Sequence, residues 1–258
     1  MNFLRRSAIA ALLLGGSALS AAGCADNGST LFIQGVITLR APECVYKADP
    51  GGTFLGSGTL DVALRSTYTA GVLVGNQYQP RGDKENLRTE TTRVLLKGAE
   101  ITLTDSQGKE ISCGEGCQGT FSVYGSGFAN SADAREPGYG PFIAEVIPRA
   151  VGEWAAAQLG ANRQARRTLV AEIRVFGETT GGQEIDSGAF TFPIEVCYGC
   201  LVSYPLAAMD LSVDPPTCSA SVRDTPAASS CLLGQDTEVD CRLCSTSFAV
   251  CREPGPGL

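Results

Sequence analysis

Between residues 31 and 196 apolar side chains recur at every second position in short runs cut by glycine, proline and polar turns, the pattern of strands that bury one face. Leu60, Val62 and Leu64 alternate with Asp61, Ala63 and Arg65, and Tyr68, Ala70, Val72 and Val74 repeat the period. Upstream, Leu31 to Leu39 is a β-rich run that stops at Pro42 and Cys44, and a loop studded with Pro50, Gly51, Gly52 and Gly56 follows. Val94, Leu96, Ile101 and Leu103 alternate between Thr92 and Thr104 with a break at Gly98, which predicts one bulged strand or two short ones. Phe121, Val123 and Tyr124 read as a strand, then a loop rich in glycine, alanine and proline runs to Gly140. Phe142 to Ile147, Leu169 to Phe176 and Phe190 to Val196 complete the set, with Pro193 demoting the last to an edge or a bulge.

Only Val151, Trp154, Ala155 and Leu159 fall at helical spacing, and Gly160 stops that helix. Its apolar stripe is expected to cap the core rather than bind a cofactor, and Arg163, Arg166 and Arg167 after it read as a solvated loop. The whole predicts an all-β fold, an antiparallel β-sandwich of immunoglobulin or fibronectin type III kind with one short helix. A partly closed barrel is the alternative.

From Cys197 the composition changes to cysteine, proline, serine and threonine with little periodicity. Cys197, Cys200, Cys218, Cys231, Cys241, Cys244 and Cys251 lie here, and Cys218 to Cys251 are expected to have no strand or helix of their own. A segment this poor in apolar periodicity cannot order itself by burial, so 197–258 is predicted to be a disulfide-rich tail held on a sandwich at 31–196.

The N-terminus carries an address. Arg5 and Arg6 precede the apolar stretch Ala8 to Leu14, which is too short to span a bilayer. Leu19-Ser20-Ala21-Ala22-Gly23-Cys24 then resembles a bacterial lipoprotein cleavage site, departing from the family pattern at Ala21, where leucine is preferred. The resemblance implies a signal peptide at 1–23, acylation of Cys24 with palmitate-type chains, and a linker at 24–30. Several acyl chains anchor a protein far longer than one. The family's sorting rule reads Asp after the cysteine as inner-membrane retention; Ala25 stands there, which implies the outer membrane.

The chain has 20 basic and 27 acidic residues, and losing Arg5 and Arg6 with the signal leaves 18 against 27, a net charge of −9. That balance excludes nucleic acid as a partner and electrostatic adhesion to anionic lipid, so membrane attachment falls to the anchor. Histidine is absent, which removes Ser-His-Asp and Cys-His nucleophiles and His-Glu zinc sites. No cofactor is expected.

Of eleven cysteines, ten remain once Cys24 is set aside, an even number in a chain sent to an oxidising compartment. All ten are expected in disulfides: Cys44, Cys113, Cys117 and the seven of the tail. Cys113 and Cys117, separated by Gly114-Glu115-Gly116, can close on each other. Seven tail cysteines cannot all pair internally, so Cys44 is the expected outside partner. Two alternatives attach to Cys197/Cys200 and Cys241/Cys244. Four thiolates at Cys-x-x-Cys spacing could hold zinc, but 40 residues separate the pairs, against about 15 to 20 in common zinc ribbons. Thiol-disulfide exchange at Cys197 and Cys200 would need a thiolate held at a helix N-terminus, whereas this pair ends a strand.

Other motifs dissolve on inspection. Arg81-Gly82-Asp83 sits in ordinary turn chemistry. Ser106-x-x-Lys109 has the spacing of penicillin-recognising serine enzymes but occupies a hairpin tip, not a helix. Asp186-Ser187-Gly188 copies the aspartic-protease signature once, where that chemistry needs two carboxylates. Finally Cys197-Tyr198-Gly199-Cys200-Leu201-Val202, Cys218, Cys231-Leu232-Leu233-Gly234-Gln235-Asp236 and Asp240-Cys241 resemble the tail of a group of myxobacterial-type envelope lipoproteins. That resemblance implies location and no activity. The expected function is a lipid-anchored, non-enzymatic structural or binding module facing another envelope protein or a glycan; the alternative is an oxidoreductase using Cys197 and Cys200.

Overall fold

The computed structural model describes residues 30–254 apart from 84, 115, 116, 134, 223 and 224. The signal segment, Cys24 and the linker up to residue 29 lie outside the described residues. Ten strands and one helix make up the body: β1 (Leu31–Ile37), β2 (Phe54–Leu55), β3 (Gly58–Asp61), β4 (Tyr68–Asn76), β5 (Val94–Asp105), β6 (Thr120–Ala129), β7 (Gly138–Ile147), α1 (Arg149–Leu159), β8 (Arg166–Thr179), β9 (Glu184–Asp186) and β10 (Phe190–Cys197).

They form two sheets, ordered β2-β1-β4-β7 and β3-β10-β8-β5-β6, with β9 extending β8. All neighbours are antiparallel except β3 and β10, which run parallel. Alternate residues of both sheets feed one core: Val72 and Val74 of β4, Phe142 of β7, Ile101 of β5, Ile173 of β8 and Ile194 of β10. Tyr68 and Phe192 meet across the two sheets with ring centroids 6.0 Å apart. The chain is thus all-β with a short helix, and α1 covers the core with Val151, Ala155 and Leu159 as its stripe requires.

The sheets converge on one side. β6 and β7 approach so closely that a Cβ at Gly140 would lie 1.7 Å from the Phe128 carbonyl oxygen, and one at Gly138 would lie 2.2 Å from that of Asn130. The glycines of 125–140 therefore belong to strands, not to the loop expected there; their lack of side chains is what brings the two backbones together. Gly98 marks a bulge inside β5, where the register shifts after Leu96. Pro193 lies beyond the Ile194–Cys197 stretch that pairs with β3, so its missing N–H falls where β10 has a partner on one side only.

Sheet one is covered on its outer face as well, because every residue of β4 except Thr69 is buried. Phe32 lies over its strand partner Gly75, and Tyr46, from the loop after β1, lies over Gly71. Aromatic rings fill the space the glycines leave, which offsets the weakness of glycine in a strand.

The tail differs from expectation. It contains β11 (Val202–Ser203), β12 (Met209–Asp210), β13 (Thr217–Cys218), β14 (Val239–Asp240) and a one-turn helix α2 (Cys241–Cys244), so Cys218, Cys241 and Cys244 do stand on local structure, whereas Cys231 lies in a bend as expected. The strands are two residues each, too short to give a period, and pair β11 with β14 and β12 with β13. Asp240 caps α2 by accepting from the Arg242 amide at 3.0 Å. Disulfides join Cys44 to Cys231, Cys113 to Cys117, Cys197 to Cys200, Cys218 to Cys241 and Cys244 to Cys251. The Cys44–Cys231 bridge ties the loop covering sheet one to the tail.

Candidate functional site at the junction of sandwich and tail

The free edge of the second sheet is β3, and the tail covers it. Asp61 donates its amide to the Gly234 carbonyl at 2.9 Å, and Asp236 donates to Thr59 at 3.0 Å, so the tail extends the sheet by a short edge segment. Two carboxylates fasten this seam, Asp61 fully buried and Asp236 half-buried.

Asp61 ends β3 directly beside Cys197, its parallel partner at the end of β10. After Cys197 the chain turns through Gly199, whose φ of +68° suits glycine, and the turn points its amides at Asp61. The carboxylate accepts from Gly199 N at 2.6 Å, Leu201 N at 3.0 Å and Ala63 N at 3.1 Å. Burial pushes its pKa above the usual carboxylate range, against the opposing pull of these amides and the Arg163 charge.

Asp236 performs the reciprocal task from the tail. It accepts from Thr59 N at 2.8 Å and from the Tyr68 hydroxyl at 2.8 and 2.9 Å. Its pKa is likewise raised by burial, and that of Tyr68 is pushed up by burial and by the Asp236 charge. Beside it, the Gln235 side chain accepts from Thr69 N at 2.9 Å and donates to Thr69 O at 2.7 Å, which supplies a strand partner where β1 no longer reaches β4.

Arg163 is not a solvated loop residue. Its Nη2 lies 2.7 Å from the Tyr204 hydroxyl and 2.5 Å from both the Val250 and Glu253 carbonyls, and its guanidinium stacks on the Tyr204 ring at 5.4 Å. One side chain thereby pins the last turn of the tail to the sandwich. Arg167 stacks on Trp154 at 5.0 Å, and Arg166 forms an exposed pair with Glu195. Arg163→Met, which keeps the aliphatic stem and removes the donors, is expected to cost about 1–3 kcal/mol. Hydrogen exchange of the 248–253 amides should rise several-fold in that variant while exchange in β5 and β8 stays unchanged.

Among the described residues one group of metal-type donors comes together: Asp61, Cys197 and Cys200, with donor atoms within 4.8 Å of one another. The four-sulfur site is not assembled, since Cys241 is bridged to Cys218 and Cys244 to Cys251. Cys197 is fully buried and Cys200 half-buried.

The remaining motifs take local roles. The Asp105 carboxylate holds the hairpin turn by accepting from Gln107 N and Lys109 N, leaving Ser106 in a plain turn. Ser187 is buried, and its hydroxyl accepts from Val175 N at 2.9 Å. The Asp83 carboxylate turns back on Glu85 N and Asn86 N. Glu90 holds the loop containing Arg81 and Gly82 by accepting from both their amides. Desolvation raises its pKa, but hydrogen bonds from Thr92, Gly82 and Ser131 together bring it down to about 2.

A cavity of about 40 Å³ under the Cys44–Cys231 bridge is lined by Tyr46, Leu55, Leu232 and Asp236, room for little more than a water or two. Another hollow, about 770 Å³, is an open dish inside the 80–91 loop. Sequence reasoning passed over Asp61, Asp236, Gln235 and Arg163. No protein-family model matches the chain, and no curated protein matches it.

Proposed function

We propose that this is a non-enzymatic, lipid-anchored envelope protein whose sandwich displays a binding face to another envelope component. The observation that carries the reading is the pairing of all ten cysteines after residue 24 in five disulfides, an arrangement that persists in oxidising compartments. Acylated Cys24 supplies the anchor, in the outer membrane by the sorting rule.

The strand order supports an immunoglobulin or fibronectin type III kind of sandwich. Taking β1, β4, β5, β6, β7, β8 and β10 as successive strands, the first, second and fifth share one sheet, and the third, sixth and seventh share the other. That partition is the A-B-E and C-F-G division of immunoglobulin folds, with the fourth strand placed on the second sheet.

The rival reading, thiol-disulfide exchange at Cys197 and Cys200, has the nearby buried carboxylate of Asp61 in its favour. Against it, Asp61 is occupied by three amides that shape the turn, and Cys197 ends strand β10 with Cys200 in the turn after it rather than at a helix N-terminus that would stabilise a thiolate. Cys24→Ser is expected to move the protein from the membrane to the soluble envelope fraction and to abolish incorporation of labelled palmitate. A wild-type protein without label that still sediments with membranes would contradict the anchor.

A further inference from the structure

The outer face of the second sheet carries an aromatic strip that the core does not use. Core residues Val123, Ala99 and Val175 point inward, so their neighbours Tyr124, Gly98 and Phe176 point out. Gly98 is the strand partner of both Tyr124 and Phe176, and having no side chain it lets the Phe176 ring lie flat across it. Tyr124 meets that ring edge-on at 6.0 Å and is 81% exposed. Further along β6, Phe128 is 49% exposed, with the Arg93 guanidinium 5.0 Å above its ring. Four residues at about 3.3 Å each, less what the bulge takes up, put Tyr124 and Phe128 roughly 10–13 Å apart on one strand.

The charges around the strip cancel. Lys97 pairs with Glu178 and Arg174 with Glu172, and the other two charges on this face, Arg93 and Glu100, are of opposite sign, so the face is neutral although the chain is strongly acidic. A nucleic acid needs excess positive charge, and a protein interface has its charges depleted from the centre. Here rings alternate with polar groups along one sheet face. That amphipathic pattern complements a pyranose chain, whose axial C–H faces stack on rings while equatorial hydroxyls find donors and acceptors.

We propose that the outer face of β6, β5 and β8, centred on Tyr124, Phe176 and Phe128, binds a neutral, extended β-linked glycan. The proposal rests on the display reading and names the ligand class for it. An extended β-linked chain is flat enough to touch both exposed rings, whereas a coiled α-linked chain is not.

The test uses the full chain in detergent, with cellohexaose and chitohexaose as ligands, amylose as the α-linked control, and intrinsic fluorescence plus calorimetry as readouts. Binding of one β-linked hexamer and not of amylose is expected, weakened about tenfold by Tyr124→Ala or Phe128→Ala. Tyr124→Phe should retain it, as should Leu211→Ala, which removes an exposed apolar side chain of the tail. No saturable binding to either β-linked hexamer, or binding that both alanine variants leave intact, overturns the proposal, as does capture of a polypeptide that competes at the same rings. Because Tyr124 is so exposed, its replacement leaves the fold intact. The display reading fails on a different result, free thiols at Cys197 and Cys200, which glycan titration does not report.

Discussion

Gly140→Ala is expected to destabilise the protein by about 3 kcal/mol or more, and Gly140→Val to prevent folding. The added Cβ falls 1.7 Å from the Phe128 carbonyl oxygen, a backbone atom held in the β5–β6 ladder, so no side chain can swing aside to make room. To accommodate it β6 and β7 would have to separate, which opens the core where the two sheets converge. Gly188→Ala is the contrast: its Cβ would have nothing within 4 Å, and the change should be nearly neutral. Equal denaturation midpoints for the two variants would show that the close approach of β6 and β7 is unimportant.

Asp61→Ala is expected to cost about 3–5 kcal/mol, since each buried donor left without an acceptor costs about 1–3 kcal/mol and Gly199, Leu201 and Ala63 all lose theirs. Asp61→Asn should recover only part, because the amide nitrogen of Asn would face a backbone N–H that the carboxylate now satisfies. The pH signature distinguishes this account from simple loss of packing. A carboxyl whose pKa is raised on folding holds its proton to higher pH in the folded chain. Its contribution to stability is fully present below the ordinary aspartate range and lost as pH rises through the raised value. The melting temperature of the wild type should therefore climb as pH falls from neutral toward that range, and the Asp61→Asn variant should show a shallower climb because only Asp236 remains. Glu90 acts in the opposite sense. Its pKa is lowered, so the hold on the 80–92 loop persists until pH falls toward about 2. A flat wild-type profile between neutrality and the carboxylate range would remove Asp61 and Asp236 as the seam's electrostatic fasteners.

The strands of the body were legible because a half-buried strand writes its period into the chain, as Ile101 to Leu103 and Leu169 to Val175 do. The glycines of β6 and β7 were not legible. Gly125, Gly127, Gly138 and Gly140 read as loop because local propensity cannot register that another backbone lies against them. The tail's structure escaped for a related reason: strands of two residues have no period, and the disulfides with the Asp240 cap hold them in place. Parity alone directed the tail's odd cysteine outward, and the structure places its partner at Cys44. Asp61 looked like a solvent-facing residue at a strand end. It is buried because a segment more than 130 residues later folds its amides onto it, information that no window around position 61 contains. Arg163 was missed in the same way, its three partners lying at 204, 250 and 253.

The central claim is that the cysteines of this chain are structural staples in an exported protein. Mass spectrometry of non-reduced peptides from protein purified out of its own membranes, with free thiols alkylated under denaturing conditions, tests it most directly. The account predicts no alkylated cysteine after residue 24 and the five linked pairs Cys44–Cys231, Cys113–Cys117, Cys197–Cys200, Cys218–Cys241 and Cys244–Cys251. Alkylation of Cys197 and Cys200 in the native preparation would contradict it.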